Sequence, residues 1–278
     1  MARSGNGSRI GALSVAGVLA GTVLVTGCGN DSDAAGPSDG VSSTGSAGAR
    51  EQGTQAVRSA YDKTAEEDTA RVTLKVRTSA EGSSATANGE GTVDLDDGDS
   101  VMTVTAEGQR IEQRVVDRVL YQKPPEGQAP GGKPWIKIDL KKVAARQGAG
   151  GQSVNDPAQS AAFAKAIDDK DVTRKGTSVI DGVHTTRYRV TVDVAKLPNG
   201  SELSKQVGPS LPMDLWLDDD GRIRRQQVDM TVKAATKATV RTVLEFSDFG
   251  TDVNADAPPA RQVTDMTDEV GKQGRAQS

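Results

Sequence analysis

Cysteine and histidine occur once each in this chain of 278 residues, at Cys28 and His184. Zinc sites draw their three or four protein ligands mainly from these two residue types, so a His/Cys zinc site is excluded. A lone cysteine forms no disulfide within the chain, and the folded part must rely on its core. Aromatics are scarce, with three Phe, three Tyr and two Trp, too few for platforms that stack bases or sugars. Positive charge is not in excess either. Against 34 Lys and Arg stand 38 Asp and Glu, a net charge of −4 with no basic cluster, which leaves no electrostatic footprint for nucleic acid.

Catalytic patterns are equally thin. No G-x-S-x-G elbow is present to carry a nucleophilic serine. His184 sits on an alternating stretch beside Thr185 and Thr186, which favours a surface or edge histidine over a general base. Paired carboxylates occur at Asp96-Asp97, Asp168-Asp169 and Asp218-Asp219-Asp220. The first and last lie in Asp-Gly turns and the second at a helix end, where aspartate serves local backbone hydrogen bonds. Asp218-x-Asp220 is not a calcium loop, because Arg222 and Ile223 occupy the places of a ligand and the turn glycine. The glycines of 148–151 precede no strand-to-helix phosphate loop. These absences argue against an enzyme, and neither metal nor cofactor is expected.

What is there begins with one uncharged run, from Ile10 to Gly27, preceded by Arg3 and Arg9 and closed by Val25-Thr26-Gly27-Cys28. A basic start, an apolar middle and a small-residue end are the parts of an export signal. The run just reaches the length of a membrane span. Gly11, Ser14, Gly17 and Gly21 dilute it, however, and no basic stop-transfer cluster follows. The closing four residues resemble the lipobox of bacterial lipoproteins. That resemblance implies cleavage after Gly27 and lipid attachment at Cys28, with the chain anchored on the extracytoplasmic face of the cell membrane. Residues 1–27 carry two arginines and no acid, so cleavage would move the formal charge from −4 to −6.

From Cys28 to Gly53 the composition is Gly, Ser, Ala and Asp, which cannot bury enough surface to order itself. This stretch reads as a disordered tether with a span of roughly 25–30 Å. Residues 54–252 read as one domain. A helix is predicted from Thr54 to about Glu67, with Val57 and Tyr61 one turn apart. Alternating strands follow over Arg71–Arg77, Ala85–Leu95, Ser100–Glu107, Arg110–Val116, Arg118–Lys123 and Trp135–Asp139, with Gly108-Gln109 as a hairpin loop. Asp156-Pro157-Ala158-Gln159 starts a predicted helix to Asp169, with Phe163 and Ile167 on its apolar side.

Five more strands are predicted, Val172–Ile180, Val183–Val194, Met213–Leu217, Ile223–Val232 and Ala238–Phe246, with a short helix over Ser201–Val207. Residues 253–278 read as a flexible tail, with a weak helix at Gln262–Val270. The fold class is therefore α+β. So many antiparallel strands must curl into a half-barrel, with helices packed on its concave face. Leu74, Val76, Val93, Met102, Val104, Ile111, Tyr188, Val190, Leu215, Val228, Met230 and Leu244 fall on alternating positions able to face that side. With Phe163 and Ile167 they are the candidate lining of a hydrophobic cavity. The alternative is that the helices fill this face completely.

Three passages carry a wider resemblance: Leu120-Tyr121 with Lys133-Pro134-Trp135-Ile136, the run Asp181-Gly182-Val183-His184-Thr185-Thr186-Arg187-Tyr188, and Leu215-Trp216-Leu217-Asp218 leading to Gly221-Arg222-Ile223-Arg224-Arg225. Over residues 54–250 the chain resembles the actinobacterial lipoproteins of the LppX and LprG types, which share a half-barrel fold with the LolA and LolB carriers. The resemblance implies an envelope lipoprotein whose cavity takes lipid or glycolipid cargo, some members carrying it through the envelope. The RseB-type regulators of the same fold imply an alternative, a non-enzymatic sensor or scaffold that contacts a membrane protein.

Overall fold

The computed structural model describes residues 43–80, 82–147, 167–197, 200–201, 204, 208–233 and 237–270. Helix α1 spans Ser43–Ala65. Six strands follow: β1 (Thr69–Ala80), β2 (Ser83–Asp94), β3 (Ser100–Ala106), β4 (Gln109–Val116), β5 (Val119–Lys123) and β6 (Trp135–Asp139). A short helix α2 (Leu140–Gln147) comes next. The second run is β7 (Val172–Ile180), β8 (Val183–Asp193), β9 (Ser210–Leu217), β10 (Ile223–Lys233) and β11 (Lys237–Ser247), and β12 (Val263–Asp265) closes the chain. All twelve strands form one open, curved sheet in the order β12-β6-β5-β4-β3-β2-β1-β11-β10-β9-β8-β7.

Two meanders meet at its centre, where β1 pairs with β11 over the full stretch from Arg71–Ser247 to Ala80–Ala238. Alternation along each strand puts the apolar residues of both meanders on one side. α1 packs on that side, over β7 and β10. Its buried positions Gly53, Thr54, Val57, Ala60 and Thr64 recur at helical spacing. Small residues let it sit close, since a Cβ on Gly53 would stand 3.3 Å from the Tyr188 ring. The Thr64 hydroxyl accepts from the Ile223 amide at 2.8 Å and donates to the Ala60 carbonyl at 2.6 Å, tying the helix end to β10.

Four expectations need correcting. Residues 43–53, read as tether, are helical: packing of the 53–64 face nucleates α1, and propagation from a formed nucleus costs little even through Gly45 and Gly48. The loop between β3 and β4 is Glu107-Gly108, one residue earlier than Gly108-Gln109. Both of its residues have positive φ, 51° and 77°, the geometry that matches strand twist in a two-residue hairpin. The tail is not free throughout, because β12 pairs with β6 in parallel. Lys133 Nζ donates to the Val263 carbonyl at 2.9 Å, the Met266 amide to the Lys137 carbonyl at 2.9 Å, and Lys137 pairs with Asp265 at 3.1 Å. A sheet edge that would otherwise expose its hydrogen-bonding groups is thus covered. Finally, α2 was not anticipated: Asp139 accepts from the Lys142 amide at 3.0 Å and caps it. The predicted helix from Asp156, with Phe163, and most of the 201–207 turn lie outside the described residues.

Gly91 marks where β2 and β3 approach most tightly. A Cβ there would lie 2.0 Å from the Val101 carbonyl oxygen and 2.8 Å from the Met102 Cα. The β2 residues on the apolar side are Ala85, Ala87, Gly89 and Gly91 up to Val93, so this strand bends without side-chain bulk. Gly91→Ala is expected to destabilise the fold by about 2 kcal/mol. Urea unfolding checks it, and a midpoint equal to that of the parent chain contradicts the close approach.

Candidate functional site

Register fixes which side chains share a face. Ile111, Val104, Gly89, Leu74 and Leu244 form one transverse row, and Gln226, Leu215 and Tyr188 continue it across β10, β9 and β8. Val76, Val228 and Val190 belong to the neighbouring row, with Met102, Val93 and Met230 further along the same side. Twelve candidate positions are thus brought to one face, and Ile167 is buried in the same core.

Their surroundings differ. Val93, Val190, Leu215, Val228 and Met230 are buried in the cluster that α1 closes with Val57 and Ala60, and Val104 is buried on β3. Leu74, Val76, Met102, Ile111, Tyr188 and Leu244 are only half-buried. Here α1 packs on β7 and β10, whereas α2 continues from the end of β6 and touches β5 and β6. Beyond α1, the apolar face of β1–β4 presents Leu74, Val76, Met102 and Ile111 around the side-chain-poor β2. Tyr61 of α1 marks the border, its hydroxyl 3.3 Å from Gln226 Oε1 and 3.7 Å from Met213 Sδ. Burial raises its phenol well above the ordinary range.

The opposite face is a ladder of charge. Asp214 accepts from Arg189 Nε and Nη2 at 2.7 Å and from Arg187 Nη2 at 2.8 Å. The guanidiniums of Arg187 and Arg225 stack on Trp216 at 5.0 and 5.4 Å, and Arg225 bonds Glu245 at 2.5 Å. A depression of about 410 Å³ lies on this side, lined by Lys75, Asn88, Arg225, Gln227 and Glu245 among others. It is open and mixed in polarity, and Leu74 and Gly89 of the apolar row also contribute to its lining.

The residues weighed for chemistry stay apart. His184 is exposed on β8 beside the Asp181–Gly182 turn, and its imidazole meets no hydrogen-bond partner among the described residues. Asp218 serves its own hairpin, accepting from the Asp220 and Arg222 amides at 3.1 and 2.9 Å. Among the described residues, no group of three His, Cys, Asp or Glu is placed to hold a metal ion. No helix among them is long and apolar enough to cross a membrane. Cys28 and Gly27 lie outside them.

Comparison with known structures identifies the architecture. Mycobacterium tuberculosis lipoprotein LppX superposes with a TM-score of 0.52 over 74% of this chain and 99% of that one, at 17% identity. The chain has the LppX-type half-barrel fold. LprF of Mycobacterium bovis aligns over 76% of this chain and 98% of its own, at 18% identity and a TM-score of 0.43. Among curated sequences, an uncharacterized 31.2 kDa protein of Streptomyces griseus, from the rplA-rplJ intergenic region, is 28% identical over 168 residues. The match covers 52% of each chain, so this chain spans about half the length of the curated relative. No protein-family model matches.

The buried carboxylate of the polar face yields a stability prediction. Asp214 is 3% exposed, while Arg187 and Arg189 are 38% and 42% exposed. Burial pushes the Asp214 carboxyl up, but the hydrogen bonds from Arg189 and Arg187 outweigh it and hold the group below its ordinary 3.8. A carboxyl depressed in the folded state adds stability above its unfolded value and loses it as pH falls through the folded one. Asp214→Asn is expected to cost about 2 kcal/mol at neutral pH, below the loss for a fully enclosed pair because both arginines reach solvent. Urea titrations at neutral pH and below pH 3.8 check it: the gap between the two chains should narrow in acid.

Proposed function

We propose that the chain is an envelope lipoprotein, anchored through Cys28, that binds acyl chains against the apolar face of its half-barrel. The observation that carries this reading is the half-buried strip Leu74, Val76, Met102 and Ile111 on β1–β4, beyond the part of the face that α1 covers. Aliphatic surface held on a concave scaffold, with few polar groups, suits a long apolar ligand. Met102 adds an adaptable wall, its Cε lying 3.1 Å from where a Cβ on Gly89 would stand. The LppX-type fold supports the reading as architecture.

The binding free energy would come from burying methylenes, each contributing about 0.8 kcal/mol. Cargo handling follows from anchoring: a tethered half-barrel samples only the space near one membrane, where it collects or passes on lipid or glycolipid. The reaction class is transfer without bond change, in keeping with the lack of a catalytic constellation among the described residues.

The test uses the Cys28→Ser chain, so that acyl groups on the cysteine are not mistaken for cargo. Mass spectrometry of its organic extract is expected to find lipid in near-stoichiometric amount. Fluorescent fatty acids of increasing length should bind about fourfold more tightly per added methylene until the strip is filled. Empty preparations together with no binding of any chain length refute the reading.

A further inference from the structure

On β4 and β5 the apolar face holds two neighbouring glutamines that an aliphatic surface does not require. Gln113 on β4 and Gln122 on β5 are Cα partners, and Gln113 is also the partner of Met102 on β3. Register therefore puts both amides on the face of the aliphatic strip, beside its β4 border. Each glutamine is 8% exposed. The Gln113 Nε2 group is buried and has no hydrogen-bond partner among the described residues.

A primary amide carries two N–H donors, and water satisfies both in the unfolded chain. Burying one without a partner forfeits that hydration, whereas leucine or methionine would fill the same space without loss. Among the described residues the same-face sheet neighbours of Gln113 are Met102, Gln122, Ile111 and Val115, apolar surface and a second amide. A buried, unpaired donor beside the proposed ligand-binding strip is explained by an acceptor that arrives with the ligand.

We propose that Gln113, flanked by Gln122, is a polar subsite that donates a hydrogen bond to the acyl carbonyl oxygen of the ligand. This rests on the acyl-chain reading above and narrows it: the ligand is an amphiphile with an ester or amide carbonyl, not a bare hydrocarbon. The placement is consistent with one molecule using both features. β4 and β1 are three strand spacings apart, about 14 Å. A chain whose carbonyl meets Gln113 can cross Met102 and reach Leu74 on β1. The subsite then fixes which end of the ligand lies at the β4–β5 flank, while the strip supplies most of the affinity. Glycerolipids and acylated sugars share this carbonyl and differ beyond it.

The experiment compares two fluorescent probes of equal chain length, an alkane and the corresponding fatty-acid methyl ester, on the full chain carrying Cys28→Ser. The parent chain should bind the ester about tenfold more tightly. Gln113→Leu should erase that preference, and Gln113→Met, of similar length, should do the same. Without ligand, both variants should melt at or above the parent temperature, because an unsatisfied amide has been removed. A preference that survives both substitutions overturns the subsite. So does a drop in melting temperature without ligand in both, which would mean that the amide is partnered within the fold. Equal binding of the two probes by the parent chain sinks the subsite alone, whereas failure to bind either probe sinks the acyl-chain reading as well. If the subsite holds, a diacylglycerol and an acylated sugar tested on the same variants separate the two headgroup sources.

Discussion

The pairing of β1 with β11 is the constraint on which the rest depends. Each meander is built from local hairpins and would be a sheet with one apolar and one polar side. Only the long antiparallel contact from Arg71–Ser247 to Ala80–Ala238 makes them one surface. Side chains alternate with period two, so a one-residue slip there would turn the aliphatic side of one meander onto the charged side of the other. In the observed register Leu74 meets Leu244 and Val72 meets Phe246, while Thr73 meets Glu245 on the reverse. The charge ladder reinforces this choice. Glu245 bonds Arg225 and lies 3.2 Å from the Thr73 hydroxyl, so the polar side also specifies the register across β10, β11 and β1.

The cover over this one surface is uneven. α1 closes a buried core with Val57 and Ala60 over β8–β11, and that core runs on to Ala70 and Val72 of β1 and Val93 of β2. Over β1–β4 the same alternation continues with less cover and smaller side chains. Ala85, Ala87, Gly89 and Gly91 on β2 remove bulk from the middle of that half, and the tight approach at Gly91 shows that the missing side chain has a structural cause. The strip over β1–β4 is thus less covered than the core it adjoins.

Strand boundaries were legible because alternation is a strong local signal. Val172–Ile180 and Trp135–Asp139 agree residue for residue, and the twelve sheet positions chosen as lining come together on one face. The missed features need information from afar. The start of α1 contains Gly45, Gly48 and Gly53, which argue locally for coil, and only its packed C-terminal half makes a helix of it. β12 pairs with a strand far away in sequence, and nothing in Val263-Thr264-Asp265 announces that. α2 had a readable signal, Asp139 as N-cap before a run of helix formers, but the same residue ends a strand. Gln113 and Gln122 carry no local signal that pairs them. Only the register shows that they face each other.

The central claim is that acyl chains bind the apolar face over β1–β4. A fatty acid with a diazirine near the chain end, photolysed on the Cys28→Ser chain and mapped by peptide mass spectrometry, tests this most directly. Cross-links confined to β1–β4, at Leu74, Val76, Met102 and Ile111, are the predicted result. Cross-links at Lys75, Asn88 or Gln227 on the polar face, or spread evenly over the surface, would contradict it.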